Sequence, residues 1–183
     1  MTAHYAMFET AFGKAGLAWG PNGIVAAAFP ASEEQAVRAQ LLKYAPQATE
    51  AAAPVEIAAI MAGIAALFVG EKHDFADAKL DLSNLSQFDC RVYAETRAIM
   101  PGETRTYGEI ARRLGDPALA QRVGQALGRN PLPILIPCHR VVGADGAMTG
   151  FSAPGGTAAK RRLLKIEGAL PPDLFDAERG PEA

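Results

Sequence analysis

Apolar and polar positions change their period several times along this chain, and each change marks an element. Between residues 7 and 29 two apolar runs, Leu17-Ala18-Trp19 and Ile24-Val25-Ala26-Ala27-Ala28-Phe29, flank Gly20-Pro21-Asn22-Gly23. Two short apolar runs about such a turn predict a β-hairpin. A helical period follows over residues 33–44 and again over 55–69, with Gly70 as a stop signal. Residues 81–86 read as a short strand or connector. The first 85 residues are thus expected to form a small α/β unit.

After Ser86 the pattern is mainly helical. Residues 88–100 predict a helix ended by Pro101-Gly102, and residues 107–114 a short helix followed by the turn Gly115-Asp116-Pro117. A second short helix is expected over 118–128. Two short helices joined by a tight turn are a helix-turn-helix pattern. On the second of them Leu119, Val123 and Leu127 would face the core, Gln121, Gln125 and Arg129 the other side, and Arg122 the border. Ala118, Ala120, Gly124 and Gly128 leave that helix lean. Small residues there serve either close approach to a nucleic-acid groove or tight helix–helix packing. Next come the apolar run Ile134-Leu135-Ile136 and Pro137-Cys138-His139-Arg140-Val141-Val142. Asp145-Gly146 is a hairpin signal between 141–142 and 148–149. A Gly-rich loop, 150–156, leads into a helix over 157–167. There is no internal repeat.

Composition adds little until it is divided along the chain. With 49% hydrophobic and 21% charged residues, this is an ordinary globular composition. The most apolar segment, 57–69, is too short for a bilayer core of ~30 Å and suits a buried helix. The first residues have no basic stretch leading into an apolar run, so no secretion signal is expected. The formal charge is -2, but residues 86–170 hold 12 Lys/Arg against 7 Asp/Glu, while the segments on either side are acidic. A basic segment carried by an acidic remainder suits phosphate contacts there.

Two cysteines, Cys90 and Cys138, cannot build a disulfide framework, and both are expected as thiols in a reducing cytoplasm. Cys138 is followed by His139, and an imidazole can generate the nucleophilic thiolate, with Glu167 a candidate to orient it. The competing reading is a cysteine that only fills space. Cys90 has no such neighbours and is assigned to packing; His4 and His73 are expected to be solvated. No Cys/His set has zinc-ligand spacing, so no metal is expected.

The run Asn130-Pro131-Leu132-Pro133-Ile134-Leu135-Ile136-Pro137-Cys138-His139-Arg140-Val141-Val142 closely resembles the active-site signature of the O6-alkylguanine-DNA alkyltransferases, also called methylated-DNA–protein-cysteine methyltransferases. The likeness extends from about residue 88 to 168 and more faintly over the N-terminal unit. It implies a ribonuclease-H-like α/β unit with a small antiparallel sheet over 1–85. It also implies a mainly α, helix-turn-helix, winged-helix-like domain over 86–170, followed by an acidic, frayed tail over 171–183. The implied activity is direct-reversal DNA repair: an alkyl group on O6 of a flipped guanine passes irreversibly to Cys138, once per molecule, without a cofactor. The implied partner is duplex DNA containing O6-alkylguanine, gripped through the minor groove by a cytoplasmic monomer with no membrane attachment.

The resemblance also assigns residues. Cys138 would accept the alkyl group, His139 would take its proton through a water, and Glu167 would orient the histidine. Asn130 would tie the helix-turn-helix to an active-site strand. Arg122 would fill the gap left by the flipped nucleotide, and Tyr107 would help turn it out and hydrogen-bond the guanine. Main-chain groups of Cys138 and Val141 would meet the exocyclic amine, and Arg140 falls among the substrate- and DNA-binding residues of the signature. In Gly150-Phe151-Ser152-Ala153-Pro154-Gly155-Gly156, Phe151 and Ser152 match the family's aromatic and its guanine-oxygen donor. The loop departs from the family in being two residues longer, which either reshapes the pocket or bulges outward. Three rivals remain: a lesion-binding module without chemistry, a helix-turn-helix regulator and a cysteine hydrolase. Cys138 counts against the first and the lack of an effector or dimerisation segment against the second; the third would need turnover on an ester or peptide, with which a DNA mimic at the active site would not compete.

Overall fold

Thr10 makes the first turn of the chain, its hydroxyl donating to the Gly13 carbonyl at 2.7 Å and accepting from Phe12 N–H at 3.1 Å. Gly13 has φ 108°, and a Cβ there would meet the Ala31 oxygen at 2.6 Å, so the turn requires glycine. The expected hairpin is therefore a three-stranded meander: β1 (His4–Thr10), β2 (Gly13–Gly20) and β3 (Gly23–Ala31). Its second turn, Pro21-Asn22, closes the Gly20–Gly23 pair as the sequence indicates. The computed structural model describes residues 2–171, so all of the expected acidic tail but Pro171 lies outside the described residues.

The sheet is mixed rather than antiparallel. A two-residue strand, β4 (Thr49–Glu50), pairs parallel with β1, giving the order β3-β2-β1-β4. Helix α1 (Glu34–Tyr44) covers one face, burying Val37 and Leu41 against Tyr5, Ala18, Ala26 and Ala28. Helix α2 (Val55–Phe68) and the C-terminal half cover the other, where Leu17, Trp19, Ile24 and Phe29 share one core with Ile64, Val92, Ile110, Leu135 and Leu163. Burial on both faces explains why β3 reads as a continuous apolar run without alternation. Residues 81–86 are a connector, and Leu80 alone bridges to Ile24. Arg97 ties down the preceding segment through the carbonyls of Phe75, Ala76 and Ala78.

Helix α3 (Gln87–Arg97) starts at the Ser86 cap, and β5 (Arg105–Thr106) leads into α4 (Tyr107–Arg113) through a capping box between Thr106 and Glu109. The second helix of the pair is divided. Asp116 caps Ala118 N–H and Pro117 opens a 3-10 turn, Pro117–Leu119, before α5 (Ala120–Gly128) begins. Tyr93 fastens α3 to α5, its hydroxyl donating to the Ala126 carbonyl at 2.8 Å.

The hairpin expected over 141–149 does not form. Strand β6 (Val141–Val142) pairs parallel with β5, and residues 143–147 close a tight turn in which Gly143 N–H reaches the Ala147 carbonyl. Lys160 is the physical reason. Its Nζ donates to the carbonyls of Val141 (2.5 Å) and Thr149 (2.9 Å), withdrawing the acceptors that a ladder would use. Lys160 belongs to the last helix, α6 (Gly156–Ile166).

Candidate active site

Asn130 organises the segment that carries Cys138. Its Nδ2 donates to the Ile136 carbonyl and its Oδ1 accepts from Leu132 N–H, both at 2.9 Å. Between these anchors Ile134 is held at φ 76°, a left-handed conformation that costs a β-branched residue about 1–3 kcal/mol. The Pro131 carbonyl accepts from Ala27 N–H of β3, which fixes the segment to the sheet. The sequence suggested a strand around the cysteine. Instead Cys138–Arg140 form a single 3-10 turn. Neighbours on such a turn diverge by about a third of a circle, so Cys138 and His139 point to different surroundings.

His139 points inward and is 1% exposed. Its Nε2 lies 3.0 Å from Glu167 Oε1. Arg140, expected among the substrate- and DNA-binding residues, is also buried. Its Nε and Nη2 donate to the two Glu167 oxygens at 3.0 and 2.8 Å, and Nη1 donates to the Ile99 carbonyl. Three of its five N–H groups are thus engaged inside the protein. Burial alone would raise the Glu167 pKa, but hydrogen bonds from His139 and Arg140 outweigh it and hold the carboxyl at about 2. Burial holds His139 below the ordinary histidine range, only partly offset by Glu167. With Glu167 ionised and able only to accept, Nε2 carries the ring proton. Nδ1 is then the basic nitrogen, and it is buried without a hydrogen-bond partner among the described residues.

Cys138 is half-buried and opens onto a cleft of about 340 Å³ between β3, α1, the end of α5 and the 150–156 loop. Burial raises the thiol pKa, while the Asn130 side chain and the Lys160 charge oppose the rise. A larger groove of about 980 Å³, on the far side of the N-terminal unit between Trp19, Ile57 and Phe75, holds neither cysteine. Among the described residues no group of three or more His, Cys, Asp or Glu could hold a metal ion.

Residues 87–169 match the family described as "6-O-methylguanine DNA methyltransferase, DNA binding domain". A methylated-DNA–protein-cysteine methyltransferase of Mycolicibacterium paratuberculosis is 44% identical over 126 residues, which are 67% of this chain and 74% of the relative. The chain belongs to the methylated-DNA–protein-cysteine methyltransferase family. The likeness to solved methyltransferases extends to the whole fold. The Mycobacterium tuberculosis O6-methylguanine methyltransferase superposes with a TM-score of 0.71 at 33% identity, covering 96% of this chain and 98% of that one. The structure of M. tuberculosis OGT in complex with DNA gives a TM-score of 0.72 at 33% identity, covering 91% and 93%.

Within this member of the methyltransferase family the remaining expected residues are spread around the cleft and the helix pair. Tyr107 starts α4 and its hydroxyl donates to the Thr149 carbonyl at 3.1 Å; burial raises its pKa. Arg122 is exposed on α5, its guanidinium 4.0 Å from the Phe88 ring centroid. Val141 is buried, and one lone pair of its carbonyl accepts from Lys160. Phe151 meets Phe29 edge to face at 5.7 Å, and Ser152 is exposed at the cleft wall. Gly128 has open space where a Cβ would stand, and Gly124 only ordinary contact with Tyr107, so tight packing does not account for these two glycines of α5.

Lys160 escaped the sequence reading. The signal was present: residues 160, 163, 164 and 167 share one face of α6, so a lysine lay on the stripe of Leu163, Leu164 and Glu167. Tyr44 and Lys43, which wall the cleft from α1, were not legible, because only the fold brings residue 44 beside residue 129.

Proposed function

We propose that this chain repairs DNA by direct reversal, taking an alkyl group from O6 of guanine onto Cys138. The observation that carries this is a thiol at the floor of a cleft, next in sequence to a histidine whose free ring nitrogen is basic because Glu167 holds the other nitrogen protonated. His139 Nδ1 takes the Cys138 proton through a water. The thiolate displaces guanine in line: the S–C bond forms, the C–O6 bond breaks, and the guanine leaves with the electron pair and is reprotonated. The product is a thioether with no ready leaving group, so each molecule reacts once and the step as written uses no cofactor.

A stacked base cannot bring its alkyl carbon to a recessed thiol, so the nucleotide must turn out of the helix. Arg122 is exposed on the helix with the lean face and would fill the gap. That offsets part of an unstacking cost of a few kcal/mol. Tyr107 would help turn the nucleotide, and the backbones of Cys138, Val141 and Ser152 would bind the guanine. We read α5 as the minor-groove element, residues 1–85 as a ribonuclease-H-like unit and 86–170 as a winged-helix-like one, acting as a cytoplasmic monomer. No helix among the described residues is long and apolar enough to cross a membrane.

The test is Cys138→Ser. This variant should bind duplex carrying O6-methylguanine as the parent does and restore none of it to guanine, assayed by digestion at a methylation-blocked cleavage site. Restoration at the parental rate contradicts the assignment.

A further inference from the structure

Strand β3 is irregular where it passes the cleft. Lys14 of β2 pairs with Ala31 and Gly16 with Ala28, so Ala15 alone faces both Phe29 and Pro30. One extra residue on one strand is a β-bulge, which bends the strand and re-aims its side chains. Pro30 suits the place, since a sheet tolerates proline at bulges and edges and β3 is an edge strand. The amide of Phe29 is satisfied from helix α1 instead. Gln40 Oε1 accepts from Phe29 N–H at 3.0 Å, and Gln40 Nε2 donates to the Phe29 carbonyl at 3.2 Å. The Phe29 ring is buried and stands edge to face with two others, Phe68 of α2 at 5.8 Å and Phe151 of the 150–156 loop at 5.7 Å. Among the described residues, 151–154 make no hydrogen bond to the N-terminal unit. The loop therefore rests on that unit through apolar contacts, of which Phe29–Phe151 is the aromatic one.

We propose that Phe29 is a positioning residue for the transfer: through Phe151 it holds the backbone N–H of Ser152 where the guanine O6 must stand. This rests on the alkyl transfer to Cys138 proposed above, in which the Ser152 backbone binds the guanine. As the C–O6 bond breaks, the electron pair goes to the departing guanine and negative charge grows on O6. A donor fixed beforehand stabilises that charge without having to be ordered at the moment of reaction. Edge-to-face rings fix a direction that an aliphatic contact leaves loose. Phe68 holds the Phe29 ring from behind, and the bulge turns it toward the loop. Phe29 itself touches neither the base nor the sulfur. The N-terminal unit thereby braces the site twice, at the Pro131 carbonyl through Ala27 N–H and at the loop through Phe29.

The experiment follows two reactions of Cys138 in the full chain, in Phe29→Leu, in Phe151→Leu and in the double variant. One is single-turnover transfer from duplex carrying O6-methylguanine. The other is alkylation by iodoacetamide, located on Cys138 by peptide mapping, which needs the thiolate but no donor to guanine. Removing such a donor outright costs about 10²–10³-fold, and loosening it costs less. Each single variant should therefore slow transfer about ten-fold without slowing alkylation. The double variant should be as slow as either single one, because Phe29 acts through Phe151. Phe29→Met, closer in volume, replaces Phe29→Leu if the latter does not fold. Transfer at the parental rate in the Phe29 variant overturns the proposal. So does equal slowing of transfer and alkylation, which marks a merely structural residue, and so do losses that multiply in the double variant. Each of these leaves the proposed function standing; a parent that takes no methyl group from the duplex overturns both.

Discussion

Arg140 grips Glu167 with two hydrogen bonds, Nε to Oε2 at 3.0 Å and Nη2 to Oε1 at 2.8 Å, with both side chains out of solvent. The pair joins the turn bearing Cys138 to the residue that ends α6 and fixes the face that the carboxylate shows to His139. Planar bidentate pairing of this kind supplies direction as well as energy. Its consequence is chemical: an ionised Glu167 decides which nitrogen of His139 is the base.

Replacing Glu167 with Gln keeps the shape and removes the charge. Arg140 is left buried without its counter-ion, and about 3 kcal/mol of stability is expected to go. The amide keeps one acceptor oxygen, but without the negative charge it no longer stabilises the imidazolium formed when His139 takes a proton, so the transfer rate should fall by about 10²-fold or more. Urea denaturation and single-turnover kinetics on the same preparation check both. A rate within three-fold of the parent would place the base elsewhere.

Acid should weaken the fold in two windows. His139 is buried and resists protonation, so the unfolded chain, with an ordinary histidine pKa near 6.5, takes up a proton that the folded one does not. Stability therefore declines as pH falls below that value. Glu167 acts lower. Its folded pKa of about 2 lies below its ordinary 4.5, so its contribution is complete above 4.5 and lost as pH falls toward 2. That displacement corresponds to about 3 kcal/mol. Urea midpoints between pH 8 and 3 follow the effect; Glu167→Gln should abolish the lower window and, by removing the carboxylate that favours the imidazolium, deepen the upper one. A parent midpoint that does not move across that range contradicts the sign of both shifts.

Arg122→Ala should slow repair in duplex DNA by ten-fold or more while leaving reaction with free O6-alkylguanine base within about two-fold. In the free protein Arg122 rests on Phe88, so the truncation gives up one exposed cation–π contact, about 0.5–1 kcal/mol. Equal losses on duplex and free base would remove Arg122 from any role in base turning.

How much of this was legible beforehand varies by element. The helices around residues 34–44, 55–68 and 107–113 carry their own apolar period, the last also a capping box, and the pattern locates each to within a residue or two. Cys138, His139 and Glu167 were legible as a chemical set, and the fold brings the last two to 3.0 Å. Strand β1 was missed because its turn is made by Thr10 and Gly13, a weaker signal than Pro21-Asn22. The hairpin over 141–149 failed because a tertiary contact, Lys160 to two carbonyls, outbids the local Asp145-Gly146 turn signal. The Arg140–Glu167 pair was not legible for a similar reason: nothing in the sequence tells a guanidinium meant for phosphate from one meant for a carboxylate. Lys43 and the cleft wall it joins are visible only once α1 stands beside α5.

The central claim is covalent transfer to one atom, and intact-protein mass followed by peptide mapping tests it most directly. After mixing with excess short duplex containing one O6-methylguanine, the protein should gain one methyl group, located on Cys138 and saturating at one per molecule. Lesion-selective binding with no change in mass, or a methyl group found on Cys90 instead, would contradict it.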